Sequence, residues 1–406
     1  MAKPTVISLF SGAGGLDYGF EAAGFQTAVA VEMDRACCIT LRANRRWPVV
    51  ERDIFAVPSD ELLETARLRK GEASVLIGGP PCQPFSKAGY WSRGDALRLL
   101  DPRANTLGAY LRVLEDVRPH AFLLENVEGL AYRGKDEGLK MFLDAIEGIN
   151  RRARTKYRPV VQVVNAADYG VPQLRKRLLI LGARDGTRFT FPAPTHGEAQ
   201  LSLLGNVAPR RTAWDAIGDL AIGSDEDLAL GGRWAELLPS IPEGNNYLWH
   251  TSRMGGMPLF GWRRRYWSFL LKLAKTQPSW TIQAQPGPAS GPFHWDNRHL
   301  SMRELCRLQT FPDNVRIVGS RNVVQKQVGN AVPSLLAEVF ARAIRTQLLG
   351  LRLPRGPLKL LPVVCIPPPA AEEPAPVPRK YWALRGDHAA HPGRGQGNSA
   401  ALRGAQ

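Results

Sequence analysis

The chain has 406 residues, 44% of them hydrophobic, with 53 Lys and Arg against 37 Asp and Glu, a formal charge of +16 and a pI near 10. That length holds a large core and more than one domain, and that charge suits a polyanionic partner, most simply nucleic acid. Five cysteines, with no regular spacing beyond the pair Cys37-Cys38, argue against a disulfide framework or a zinc cluster and fit a reducing compartment. No apolar run approaches the ~20 residues of a membrane span and no secretory h-region is present, so a soluble cytoplasmic protein, associated with the nucleoid and without a membrane partner, is expected.

The first half alternates strands and helices. Thr5-Val6-Ile7-Ser8-Leu9 reads as a strand that runs straight into the glycine loop Phe10-Ser11-Gly12-Ala13-Gly14-Gly15. A helix carrying Phe20 and Ala23 then ends at Gly24, a natural residue just past a helix. The next strand, Ala28 to Val31, ends in Glu32, near the ~20-residue spacing at which an acid grips ribose hydroxyls. Asp34 is placed to N-cap a helix over 35–43. The loop lacks the Lys of a P-loop and the full dinucleotide spacing, so it is not built for phosphate. S-adenosylmethionine has an amino acid end, an adenosine end and no phosphate. Close backbone approach with a ribose-binding acid suits it, and Asp53, in Arg52-Asp53-Ile54 beyond a further short strand, is placed for the adenine amino group.

Asp60 is expected to cap a helix through Leu62, Leu63 and Ala66. Val75-Leu76-Ile77 reads as a buried parallel strand and delivers Gly78-Gly79-Pro80-Pro81-Cys82-Gln83-Pro84-Phe85-Ser86. Two glycines turn the backbone and two prolines stiffen the exit. Cys82 is thereby held at the carboxyl end of a strand, where open α/β sheets place their ligands, which favours a reactive thiol over an inert core one. Residues 87–105, with Trp91, Arg93, Arg98 and Arg103, read as a mobile loop beside it. Leu107, Tyr110, Leu111, Leu114 and Val117 recur at helical spacing until Pro119.

The strand from Ala121 delivers Glu125-Asn126-Val127 at its carboxyl end, where an acid among apolar neighbours can carry a proton near neutrality. A helix around Leu139 to Ile149 and a strand over Val160 to Val164 follow. Gln173-Leu174-Arg175-Lys176-Arg177 leads into the strand Leu178 to Leu181. In strand geometry Gln173, Arg175 and Arg177 share a face and offer donors to a carbonyl oxygen and phosphates.

From about Asp185 the alternation stops. Residues 186–297 are rich in Pro, Gly, Trp and Arg, and Trp249-His250, Arg253, Trp262-Arg263-Arg264-Arg265-Tyr266-Trp267, Lys272 and Lys275 interleave cations with aromatics, as phosphate contacts and groove insertion require. A helix over Leu335 to Leu349 is expected to pack on the first domain. The Pro-, Gly- and Arg-rich residues 351–406 read as a disordered tail.

Taken in order, Phe10 to Gly15, Glu32, Asp53, the Pro-Pro-Cys82-Gln loop, Glu125-Asn126-Val127 and Gln173-x-Arg175-x-Arg177 resemble the sequential motifs of DNA cytosine-5 methyltransferases of bacterial type. Arg298 to Asp313 resembles the ninth motif of that family and Gln327-Val-Gly329-Asn330-Ala-Val-Pro333 the tenth; Arg52 stands where the family has Gly. The resemblance covers about residues 4–345. It implies a doubly wound, mostly parallel α/β sheet over 1–185, completed by 323–350, with a smaller irregular, strand-rich target-recognition domain over 186–322. It implies methyl transfer from S-adenosylmethionine to carbon 5 of a flipped-out cytosine in duplex DNA. Cys82 would be the nucleophile, with Glu125, Asn126, Arg175 and Arg177 around the base. Phe10, Ser11, Gly12, Ala13, Gly14, Gly15, Glu32, Met33, Asp53, Ile54, Pro81, Asn330 and Val332 would hold the cofactor. Gln83, Ser86, Arg263, Arg264, Arg265 and Thr281 would meet DNA, Thr281-Ile282 resembling a short element of family recognition domains. A monomer is expected, and a cognate restriction endonuclease is a compatible partner. The rival readings are RNA cytosine-5 or pyrimidine-nucleotide methylation, or a silent DNA-binding regulator; intact Cys82 and Glu125 argue against the last.

Overall fold

The computed structural model describes residues 3–81, 106–131, 137–198, 207–221, 226–362 and 366–385. Its centre is a seven-stranded sheet of order β3-β2-β1-β4-β5-β7-β6. The strands are β1 (Thr5–Leu9), β2 (Gln26–Glu32), β3 (Val49–Glu51), β4 (Val75–Gly78), β5 (Ala121–Val127), β6 (Val160–Asn165) and β7 (Lys176–Ala183). Only β7 runs antiparallel to its neighbours. The strand positions read from the sequence are reproduced, most extended by one or two residues.

Alternation along the strands sends side chains to both faces, and both faces are covered. Ile7, Leu76, Phe122 and Leu124 face one core with Leu62, Tyr110, Leu114 and Phe142. These come from α3 (Ser59–Ala66), α4 (Thr106–Val117) and α5 (Glu137–Ala153). Val6, Val75, Ile77 and Leu123 face the other, with Phe20, Phe25, Leu336 and Phe340. That layer is built by α1 (Gly15–Ala22) and a late helix, α9 (Ser334–Gln347), whereas α2 (Arg35–Asn44) follows β2. Asp34 caps α2 by accepting from Ala36 N, as expected. Pro58, not Asp60, occupies the cap of α3, and Asp60 lies one residue inside the first turn, where its charge still favours the helix N-terminus.

The second half is irregular, as expected, but holds less strand than expected. Among its described residues only His196–Gly197 and Ala208–Pro209 form a sheet, because prolines and glycines break the ladders that longer strands need. It also splits between two cores. The short helices α6 (Ala213–Ile217), α7 (Met302–Leu308) and α8 (Arg321–Asn330) pack with Ala13 and Tyr18 of the first domain. Residues around Leu237, Tyr247, Phe260, Phe269 and Phe293 form a separate aromatic cluster.

The described part of the tail, residues 351–362 and 366–385, departs most from expectation; residues 363–365 and 386–406 lie outside the described residues. Residues 351–362 lie on α9: Lys359 N and Leu360 N donate to the buried Glu338 carboxylate at 2.9 and 3.0 Å, and Leu358, Leu360 and Leu361 join the core. Further on, Trp214 Nε1 donates to Ile366 O at 2.8 Å and Ala375 N to Pro239 O at 3.0 Å. Tyr381 is buried in the aromatic cluster and stacks on Trp234. Few apolar anchors, widely spaced, order a segment whose composition reads as disordered. No helix among the described residues is long and apolar enough to cross a membrane.

Candidate active site

The sheet order reverses between β1 and β4, which opens a crevice at the carboxyl ends of the strands. The acids, amides and glycines singled out above converge there. The glycine loop follows β1 with Phe10 at φ 54 and Gly14 at φ 87, left-handed conformations that favour glycine at the second position and strain the phenylalanine. Gly15 touches the distant tenth-motif segment: a Cβ there would fall 2.3 Å from Val332 O. Side chains larger than hydrogen would push the tenth-motif segment away, so the two motifs are one structure.

Glu32, at the end of β2, is the centre of this half. It accepts from Gly12 N at 2.7 Å through one oxygen and from Met33 N and Asp34 N at 2.8 and 2.7 Å through the other. Burial raises its pKa and the three backbone donors lower it, burial being the larger effect. Asp53 caps the turn after β3 by accepting from Phe55 N at 3.1 Å. Met33 and Phe55 stand exposed beside these acids, 66% and 55% open, two apolar flanks suited to a flat aromatic ring. Ile54 and Ala13 turn their side chains into the protein instead, and Arg52 pairs outward with Glu61. Asn330 is exposed.

The other half is built on β4, β5 and β7. Tyr110 from α4 donates its hydroxyl between Leu76 O and Leu123 O, tying β4 to β5. Glu125 is 8% exposed and pairs with Arg177 across β5 and β7, Arg177 Nε to Oε1 being 2.7 Å. Burial pushes the Glu125 carboxyl up; Arg177 and Arg175 hold it down less strongly. A Cβ on Gly79 would come within 2.9 Å of Glu125 Oε2, so the glycine lets the turn lie against the carboxylate. Asn126 Nδ2 reaches Pro80 O at 3.4 Å and its Oδ1 accepts from Val127 N. Pro81 is the last described residue of this turn. Cys82, Gln83 and Ser86, with the loop over 87–105, lie outside the described residues.

Arg175 is a correction to the expectation that it meets the base or a phosphate. Its guanidinium is buried and donates to Gly329 O and Ala331 O at 2.7 and 2.9 Å, and to Ile282 O at 3.3 Å. Gln173 is buried too, donating to Leu308 O and Gln309 Oε1, while Gln309 donates to Val328 O and Ala331 O. Gln173 and Arg175 lie ahead of β7 and join the motifs, while Arg177, inside β7, reaches Glu125. Gln309, singled out in the sequence only as part of a motif, is thus a structural hub.

On the second half, Thr281 is exposed and donates its hydroxyl to Leu174 O. Arg263 and Arg253 lie over Trp262 with their guanidinium carbons 5.8 and 4.8 Å from the ring centre. Arg265 lies over Trp234, Phe260 and Phe269, and Arg264 is partly exposed. Lys272, Lys275 and His250 are buried, and burial lowers Lys272 to about 8 while Lys275 pairs with Glu243. These two lysines and the histidine therefore do not form the phosphate surface their spacing suggests.

A mostly parallel, doubly wound sheet with a glycine loop after β1 and acids at the ends of β2 and β5 defines an α/β scaffold with its ligand crevice at the strand ends. The family model for C-5 cytosine-specific DNA methylases matches residues 4–346, and the chain belongs to that family. It is similar to the Type II methyltransferase M.SacI of Streptomyces achromogenes, 40% identical over 371 residues, covering 84% of this chain and 93% of that one. It is also similar to the Type II methyltransferase M.AquIA of a Picosynechococcus strain, 44% identical over 223 residues, with 53% of this chain and 88% of that one covered. Among solved structures, a mutant of DNMT2 from Spodoptera frugiperda shares the fold, with a TM-score of 0.57 at 13% identity, over 84% of this chain and 99% of that one.

Proposed function

We propose that the protein methylates carbon 5 of a flipped-out cytosine in a specific duplex DNA sequence, using S-adenosylmethionine and a transient bond from Cys82. The observation that carries this reading is the buried Glu125, held by Arg177 against the Gly79–Pro81 turn that leads into Cys82. Carbon 5 of cytosine is a weak nucleophile. Addition of the Cys82 thiolate to carbon 6 makes it enamine-like. Glu125, whose carboxyl group burial pushes up, hydrogen-bonds or protonates ring N3 as charge develops there. Arg177 orients that carboxyl group and faces the base carbonyl, and Asn126 fixes the turn. S-adenosylmethionine supplies the electrophilic methyl group. A base then removes the carbon 5 hydrogen, and the electron pair expels the thiolate. Extrusion of the base costs a few kcal/mol.

The cofactor fits the residues present. Glu32 Oε2 accepts one backbone bond and keeps a lone pair for a ribose hydroxyl, Asp53 stands at the next strand end, and Met33 and Phe55 stand exposed beside these acids. The net charge of +16 suits duplex DNA, as do the exposed Arg253 and Arg263 around the half-buried Trp262, the half-buried Arg264 and the exposed Thr281. The relatives named as Type II methyltransferases support a place beside a restriction endonuclease. Bisulfite sequencing of DNA from cells expressing the chain tests the reading: methylated cytosine in one sequence context supports it, and unmodified DNA, with the Glu125→Gln protein as control, refutes it.

A further inference from the structure

Asp17 lies in the first turn of α1, fully buried, and among the described residues no basic side chain pairs with it. Its carboxyl group is held by its own backbone N–H and by two hydroxyls. Ser8 Oγ donates to Oδ2 at 3.1 Å and Thr27 Oγ1 to Oδ1 at 3.3 Å. Ser8 Oγ also lies 2.9 Å from Ser11 Oγ, and Ser11 Oγ can donate to Ser8 O at 3.3 Å. Ser11 opens the glycine loop, and its carbonyl accepts from Gly14 N at 2.9 Å. The chain Asp17–Ser8–Ser11 thus runs from α1 through β1 to the loop.

A hydroxyl carries one proton, which fixes the direction of such a chain. While Asp17 is ionised, Ser8 gives its proton to the carboxylate, Ser11 turns its own back toward Ser8, and the Ser11 lone pairs face the loop. Once Asp17 is protonated, it can donate to Ser8, Ser8 donates to Ser11, and the direction reverses. We infer that Asp17, acting through Ser8, is a positioning residue that sets the donor direction of Ser11 and the charge under the glycine loop, and so favours the cationic groups of S-adenosylmethionine. The inference rests on the cofactor reading proposed above.

The charged and titratable groups around Asp17 are few. Glu21, one turn on, pairs with Arg45, and Tyr18 adjoins. Glu32, across the loop, is held by backbone donors. On α9, packed against α1, Glu338 pairs with Arg342, while Arg345 lies over Phe25. β1 and β2 bring no other charge. Burial pushes the Asp17 carboxyl up to about 7, so its charge changes in the neutral range. A carboxyl raised in the folded state gives stability that is lost as pH rises through that value. Cofactor binding should run the opposite way, gaining as Asp17 ionises. A residue with a structural role alone cannot improve binding while it weakens the fold.

The test uses the full chain in calorimetry with S-adenosylmethionine and with S-adenosylhomocysteine, which lacks the sulfonium charge. Runs from about pH 5.5 to about pH 7.5, below the titration of the cofactor's α-amino group, are paired with thermal unfolding. The wild type should bind S-adenosylmethionine about tenfold more tightly at the upper pH, with a smaller gain for S-adenosylhomocysteine. Asp17→Asn should bind about tenfold more weakly at the upper pH and lose the pH dependence. Ser8→Ala breaks the chain while leaving the carboxyl group, and decides the matter if Asp17→Asn fails to fold; it should also flatten the profile. Parallel profiles in the wild type and a folded variant overturn the inference and leave the cofactor reading standing. Absence of S-adenosylmethionine binding by the wild type at every pH overturns the cofactor reading itself.

Discussion

Replacing Tyr381 by alanine tests whether the C-terminal strap is part of the fold. The ring is 3% exposed and stacks on Trp234 with centroids 5.9 Å apart and planes 13° apart. Its hydroxyl donates to Arg233 O at 2.7 Å. Truncating a buried aromatic to alanine costs ~3–5 kcal/mol. Arg379, Lys380, Trp382 and Ala383 on either side are exposed, so the strap can relax and the lower end, about 3 kcal/mol, is expected. Tyr381→Phe keeps the ring and loses one hydrogen bond, for about 1 kcal/mol. Urea unfolding followed by tryptophan fluorescence reads both changes, since Trp234 is the stacking partner. Truncation after Pro362 should match or exceed the alanine variant. Changes below about 0.5 kcal/mol for both Tyr381→Ala and the Pro362 truncation would refute the reasoning.

Arg175→Met should destabilise the protein by ~3 kcal/mol or more, because it leaves the carbonyls of Gly329, Ala331 and Ile282 buried without that donor; chemical denaturation measures it, and an effect on DNA affinity alone would contradict the structural role. Glu32→Ala should weaken S-adenosylmethionine binding at least tenfold in calorimetry, and unchanged affinity would remove Glu32 from the site. Burial raises the Glu125 carboxyl and Arg177 lowers it, so a reaction that needs the acid form should fade as pH rises above the ordinary carboxylate range. Arg177→Ala should move that alkaline limb to higher pH, even though it slows the reaction; single-turnover rates against pH report both, and a limb that stays in place would detach Arg177 from Glu125.

The site-bearing half of the fold was legible in the sequence because its signals are local. Strand, glycine loop, helix and capping Asp34 follow one another within a few tens of residues, and the strand ends deliver Glu32, Asp53 and Glu125 to one edge by topology alone. Arg175 misled because alternation reports which residues share a face but not what covers that face; segments more than a hundred residues later take up its donors. Lys272 and Lys275 misled for the same reason, burial being set by the aromatic cluster around them. The strap misled because composition averages over a segment, whereas its order depends on Leu358, Leu360, Leu361 and Tyr381. Asp17, Ser8 and Thr27 gave no signal at all, since nothing in two strands and a helix read separately shows that their polar side chains meet below a loop.

The most direct test of the proposed chemistry is trapping on duplex DNA that carries 5-fluorocytosine at the target position. After methyl transfer, fluorine on carbon 5 cannot leave as the hydrogen does, elimination stops, and the thiol stays bonded to the base. A complex that survives denaturation should form only with S-adenosylmethionine present. It should persist in Cys37→Ala and Cys306→Ala, whose buried thiols are pushed up in pKa, to about 12 for Cys306. It should form more slowly in Glu125→Gln and vanish in Cys82→Ala; a stable complex in the Cys82→Ala protein would contradict the account.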